Sequence, residues 1–360
     1  MTTGESRSAG RASGRLPPNA AELRVRTYEP GDEEWLVATF SAIFHERSLA
    51  EWRWLFHERP GGPAEVDIRV LEADGQPVGS VSHIGVPVWV QGERLRLAIG
   101  CDMMIHPAFR GRGGAEQMIT SFRESGHGFD LNFGTVNSGS RHVTRRYIHT
   151  SAMRRVPVWT RSATRLPHRD LALRAIASTP DRRHGALASG NAPSLEVVEL
   201  ANLGGEVDEL AADSAGYAPC IRIRDAAYLR WRWLEDPRTP WQARGVWGER
   251  GTLRGIAVIG VRGEGVARTG VIADILARDA TTLRALLHDA WERLCAEGCH
   301  RVTCAYRDPR RWARWVLIRS GFRRLAAVGE RVACGPLSPR AGGIVTDFAS
   351  WYLTGGDTEL

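Results

Sequence analysis

Residues His106 to Ile119 read "HPAFRGRGGAEQMI", and this stretch decides how the rest of the chain is read. It places Gly111, Gly113 and Gly114 between an apolar run, "RLRLAIGCDMMI", and the segment "GGAEQMITSFRESG". The second segment puts Met118, Ile119 and Phe122 on one face of a helix running from Gly114 to Ser125. A strand that passes through bare glycines into a helix N-terminus offers unpaired backbone N–H groups and the positive end of the helix dipole. With no Cβ in the way, an anion approaches such a backbone closely. A phosphate or pyrophosphate is therefore the expected ligand of Arg110, Gly111, Arg112, Gly113, Gly114 and Ala115. Neither common nucleotide loop fits. A Walker loop needs a Lys-Ser/Thr pair, and the dinucleotide fingerprint needs Gly-x-Gly-x-x-Gly after the first strand of a βαβ unit.

At 360 residues the chain exceeds what one core usually organises, so two domains are expected, and its 43% hydrophobic and 25% charged content is that of a globular protein. All 48 basic residues are Arg; the net charge is +7. Without Lys there is no Schiff-base lysine, no P-loop lysine and no lysine general base. No apolar run approaches the roughly 20 residues that span a bilayer, and Met1 to Ala20 lacks the apolar core of a secretion signal. These features predict a cytoplasmic protein with no membrane partner and a disordered tail over residues 1–20. The cluster "CAEGCHRVTC" (Cys295, Cys299, Cys304) crosses a helix end, a Gly turn and a strand, which scatters its side chains; free thiols are expected there and no metal site.

A repeat organises the length. Trp52-Arg53-Trp54-Leu55 recurs as Trp231-Arg232-Trp233-Leu234. Each copy is followed by a strand, a Gly turn (Asp74-Gly75, Arg250-Gly251), a second strand, and a third that ends in Asp followed by apolar residues, Asp102 in one copy and Asp274 in the other. A long helix, a strand and a final helix close each unit. The Trp-Arg-Trp motif is expected to pack a helix on the sheet with its Arg on a carboxylate. The reading is α/β, with a first domain at 21–164, a linker at 165–194, a second domain at 195–345 and a tail at 346–360.

The lead-in "MMIHPAFRGRG" and the loop pattern filled by Arg110, Gly113 and Ala115 resemble the GCN5-related N-acetyltransferase superfamily, whose coenzyme A loop reads Arg/Gln-x-x-Gly-x-Gly/Ala. The resemblance covers the element order from Leu23 to about Arg161 and extends to Asn137 downstream. It implies two tandem domains of this fold, each a mixed, mainly antiparallel sheet flanked by helices. The second is degenerate: Ala280-Thr281-Thr282 replaces the glycines, and Leu317 stands where many members carry a tyrosine. The implied activity is transfer of an acetyl or other acyl group from acyl-coenzyme A to the amine of a small-molecule or sugar acceptor.

In this family the oxyanion donor is a backbone N–H on the strand before the loop, which points to Met103, Met104 and Ile105. The acid is often a tyrosine on the helix after the next strand, which points to Tyr147. Asp102, His83 and His149 are candidates for a base or water-holder, and His106 for capping the loop. Some tandem members place a terminal carboxylate in the site. Two rivals remain. One is an aminoacyl-tRNA-dependent transferase, with Arg141, Arg145, Arg146, Arg154 and Arg155 on phosphates; the intact glycine loop argues against it. The other is a coenzyme A-binding module without turnover.

Overall fold

The computed structural model describes residues 22–125, 127–137, 139–147, 154–163, 195–326 and 328–358. The first unit runs β1 (Leu23–Thr27), α1 (Asp32–Ile43), α2 (Leu49–Phe56), β2 (Val66–Ala73), β3 (Gln76–Val90), β4 (Glu93–Ile105), α3 (Gly114–Glu124), β5 (Leu131–Thr135), α4 (Arg141–Tyr147), β6 (Arg154–Arg155) and β7 (Val158–Ser162). The second runs β8 (Val197–Glu199), α5 (Gly205–Asp213), β9 (Cys220–Arg222), α6 (Ala226–Leu229, continued by a π turn over Arg230–Leu234), β10 (Gln242–Trp247), β11 (Leu253–Arg262), β12 (Thr269–Ala277), α7 (Ala280–Ala296), β13 (Arg301–Arg307), α8 (Arg311–Arg319), β14 (Arg323–Arg324), β15 (Arg331–Pro336) and β16 (Trp351–Thr354).

Local sequence accounts for most of these boundaries. Asp74 and Gly75, both at positive φ, make the tight β2–β3 turn. Ser48 and Glu51 form a reciprocal capping box at the start of α2. Met118, Ile119 and Phe122 are buried under α3, as its periodicity predicts. The cysteines are free thiols, with Cys220, Cys299 and Cys304 buried.

β2, β3 and β4 form an antiparallel meander, and β5 joins β4 in parallel; β10, β11, β12 and β13 repeat the pattern. The two sheets are not separate. β9 pairs with β3 on one side and β16 on the other, and β16 pairs with β13, which makes one continuous sheet. Strands are also exchanged. β7, assigned by sequence to the first domain, pairs with β13 and β14; β15, assigned to the second, pairs with β5 and β6. A cut at residue 164 therefore divides the chain but not the sheets, because a short strand completes whichever edge offers open hydrogen-bonding groups. The segment read as a tail at 346–360 is corrected too: β16 is buried throughout.

The Trp-Arg-Trp copies clasp the two units together. The Trp54 and Trp231 rings stack at 5.6 Å, and each indole N–H donates to the other's main-chain oxygen at 2.8 Å. Arg53 is exposed, whereas Arg232 is buried over the Trp233 ring with Asp236 at 3.9 Å. The expected carboxylate partner thus exists loosely in one copy.

Candidate functional site

The glycine loop takes the conformation that its residues suggest. Gly111 (φ +76°) and Gly113 (φ +82°) lie in the left-handed region, and Gly113 is the N-cap of α3 with no side chain to cap it. A Cβ built on either meets nothing within 4 Å, so the loop's outer side is open to a ligand. Gly114 is bare for a different reason. A Cβ there would come within 2.4 Å of Leu71, so its absence lets the helix sit on the sheet. Arg110 Nε donates to the Ile105 carbonyl (3.0 Å), and His106 Nδ1 accepts from the Ala108 N–H (3.3 Å), a capping role as expected. These residues fit a pyrophosphate.

Behind the loop, β4 and β5 part. Their parallel pairing ends at Gly100 opposite Gly134, so the β5-facing edge of β4 from Cys101 to Ile105 has no strand partner among the described residues. On its other edge β4 holds a bulge: Cys101 to Met104 spans the register that Ser82 to Ser80 spans in β3. Asp102 occupies the bulge at φ +49° and forms an ion pair with Arg47, whose Nη2 stands 3.4 Å from Oδ1 and whose guanidinium covers the Phe40 ring. Burial raises the Asp102 carboxyl above the usual carboxylate range, with Arg47 opposing the shift.

The gap between β4 and β5 opens into a cavity of about 610 Å³. Along β4, Ile99 belongs to the main core, whereas Ala98 packs with Phe122 of α3, so alternate residues face opposite sides of the sheet. The cavity is lined from both sides: His83, Ile119 and Phe122 on the α3 side, and Phe40, His45 and Asp357 on the other. The loop lies at the start of α3 and the cavity beside its C-terminal half.

Of the residues singled out by sequence, Asp102, Met103, His83 and Asn137 line the cavity. Met104 is buried beside Ser80, and Ile105 packs below the loop. Asn137 Oδ1 accepts from the Ser140 N–H (2.9 Å), so its side chain caps the approach to α4. Tyr147 is the last residue of α4 and its side chain lies outside the described residues, as do His149, the 165–194 segment, residues 1–20 and the final two positions. Arg141, Arg145, Arg146, Arg154 and Arg155 are exposed, and Arg155 donates to the Gly329 carbonyl.

His83 is not poised as a base. Its ring lies flat on Phe122, centroids 3.5 Å apart, and burial, with His127 and Arg69 adding to it, lowers its pKa to about 3. The unfolded chain binds a proton below about pH 6.5 that the folded chain refuses, so stability falls as pH drops from 6.5 toward 3. Between pH 6.5 and 5.5 the loss attributable to His83 is about 1 kcal/mol. Urea unfolding of His83→Phe is expected to lose that much of the parent's acid sensitivity; identical pH slopes would mean a solvated imidazole.

Sequence reasoning missed Arg47 and its counterpart. In the second unit β12 and β13 also part after Ile272 opposite Cys304, and Asp274 sits beside the corresponding bulge, at which Ala273 is the extra residue. There Arg224 Nε donates to Asp274 Oδ1 (2.7 Å), matching Arg47 on Asp102. This second gap is filled. The turn Gly355–Asp357 after β16 presses on the bulge so closely that a Cβ on Gly356 would come within 2.5 Å of Asp274 Oδ2. Having filled the second gap, the same turn reaches the first unit's cavity, where Asp357 and Thr358 form part of the wall.

No protein-family model matches the chain, and no curated protein matches it in sequence. Solved structures do. A GCN5-related N-acetyltransferase from Anabaena variabilis superposes with a TM-score of 0.61 at 12% identity, over 88% of this chain and 73% of that one. Eis1 from Mycobacterium abscessus gives 0.56 at 13%, over 89% and 75%. N-myristoyltransferase of Saccharomyces cerevisiae, solved with bound myristoyl-CoA and inhibitors, gives 0.55 at 10%, over 89% and 81%. The chain has the fold of the GCN5-related N-acetyltransferases, in two units.

Proposed function

We propose that this chain is an acyl-coenzyme A-dependent N-acyltransferase whose single working site lies in the first unit. The observation that carries the reading is the alignment of an open left-handed glycine loop with the unpaired edge of β4 and the cavity that begins where that edge does. The thioester of the bound coenzyme supplies an activated acyl carbon; attack by an amine forms the C–N bond and a tetrahedral oxyanion, the nitrogen's surplus proton passes to solvent, and the C–S bond then breaks.

Around that exchange the chain binds, polarises and protonates. Arg110 to Ala115 hold the pyrophosphate with main-chain N–H groups at the α3 N-terminus. The β5-facing N–H groups between Met103 and Ile105 hold the pantetheine arm and the oxyanion. Tyr147, at the end of α4, gives a proton to the departing thiolate. Asp102 is a positioning residue, which with Arg47 fixes the bulge that turns the β4 edge toward the gap. The acceptor enters from the side of Phe40 and His45, where Phe44 is 45% exposed.

The test is release of free coenzyme A from acetyl-coenzyme A across a panel of small amines and amino sugars, with Tyr147→Phe in parallel. Release with at least one amine, slowed in Tyr147→Phe at unchanged coenzyme affinity, supports the reading. Tight coenzyme binding with no release for any amine would favour the non-catalytic module.

A further inference from the structure

Beneath α3 the cavity ends in a hollow with an unusual floor. Gly100 and Gly134 stand opposite each other on β4 and β5, and Ala333 continues the row on β15. A Cβ on Gly100 would meet no atom closer than 3.8 Å and one on Gly134 none closer than 3.4 Å, so each bare position leaves room for about one further heavy atom. His83 borders Gly100 from β3, with its Cδ2 and Nε2 edge toward that space. Asn132, two residues before Gly134, faces the same way. Phe122 and Ile119 of α3 form the roof.

Two polar groups border this hollow. The buried Oδ1 of Asn132 has no protein partner among the described residues, and His83, 6% exposed, turns its Nε2 edge to the same space, while its Nδ1 lies on the opposite edge of the ring. An unsatisfied buried polar group costs about 1–3 kcal/mol, a cost removed when a ligand supplies the missing partner. Both groups are uncharged, so a carboxylate or ammonium placed between them would be left without a counter-charge.

The direction of the site says what lies there. A donor anchored at Arg110 to Ala115 and running back along the open β4 edge reaches the end of that edge at Gly100 and Gly134, with the acceptor approaching from the opposite face. We propose that the hollow receives the part of the acyl group beyond the thioester carbonyl, and that this acyl group is longer than acetyl and carries an uncharged hydroxyl or keto oxygen bonded by His83 and Asn132. This rests on the reading of the chain as an acyl-coenzyme A enzyme. A site built to bond a substrate hydroxyl discriminates strongly against the analogue that lacks it, because its own groups are then left unpaired.

Calorimetric titration of the full chain with free coenzyme A, acetyl-, butyryl-, 3-hydroxybutyryl- and acetoacetyl-coenzyme A tests this. The expected result is at least tenfold tighter binding of one of the two oxygenated donors than of butyryl-coenzyme A. That preference is expected to fall to within about twofold in His83→Phe and in Asn132→Leu, with free coenzyme A still titrating into both as a check on folding. Equal affinity for butyryl and both oxygenated donors, or a preference that survives both substitutions, overturns the proposal while leaving the coenzyme reading intact. Failure of every compound, free coenzyme A included, overturns both.

Discussion

Gly113→Asp lowers the affinity for acetyl-coenzyme A at least a hundredfold while costing only about 1 kcal/mol of unfolding free energy. Both halves of that outcome follow from one position. Gly113 has φ +82° and caps α3 without a side chain. Aspartate is among the few residues that tolerate the left-handed region, and its strain there is limited to about 1 kcal/mol, although at this φ it lacks the extended backbone from which an N-cap side chain usually bonds the first turn. Space is no obstacle, because a Cβ there meets nothing within 4 Å. The new carboxylate fills the place meant for a pyrophosphate and repels it. Like charges set against each other across a binding site cost several kcal/mol, and a hundredfold loss needs about 2.8 kcal/mol. Gly113→Asn, nearly the same shape without the charge, is expected to lose much less. Calorimetry on the three proteins decides it; unchanged affinity in Gly113→Asp would place the coenzyme somewhere else.

That the loop and the repeat can be read from sequence, and the strand exchange cannot, has a physical cause. Glycines at 111 and 113 encode a local backbone conformation, and apolar spacing over Gly114 to Ser125 encodes a helix face, so both are written within a few residues. Which edge β7 or β15 joins depends on what the other half of the chain leaves open, and "VWTRS" and "RVACGP" carry no mark of their partner. The paired arginines occupy a middle ground. Arg47 precedes the cap Ser48 and Arg224 precedes the cap Asp225 at the start of the same repeated helix. The match is hidden because four positions separate the cap from the first tryptophan in one copy and six in the other, a difference that the π turn at Arg230–Leu234 helps absorb. The electrostatics of His83 could not be read from sequence at all, since an alternating strand histidine looks the same whether it meets solvent or the face of Phe122.

The second copy of the repeat explains the largest stability effect expected in this chain, that of Arg224→Met. Arg224 is buried and bonds Asp274, the Arg222 carbonyl at 3.0 Å, Thr354 Oγ1 at 2.9 Å and Asp357. Burial alone would lower its pKa, but Asp274 and Asp357 raise it well above the ordinary guanidinium value. Those two carboxylates are 2% exposed at most; Asp274 also accepts from Trp233 Nε1 at 3.3 Å, and Asp357 holds Thr354 N at 2.8 Å and lies 3.4 Å from Arg222. With two arginines and two aspartates the cluster is neutral. Methionine matches much of the arginine's length and none of its charge, so one carboxylate is left buried without a partner. Breaking a buried pair in this way costs about 3–5 kcal/mol. A fall of that size in the unfolding free energy is expected at pH 7, measured by urea titration. Asp274→Asn in the same chain removes the stranded charge while leaving Thr354 and Trp233 a side chain to bond, so the double variant is expected to recover part of the loss. An Arg224→Met chain within about 1 kcal/mol of the parent would mean that the turn at Gly355–Asp357 is held by packing alone, and that the filling of the second gap does not depend on the charges at its bulge.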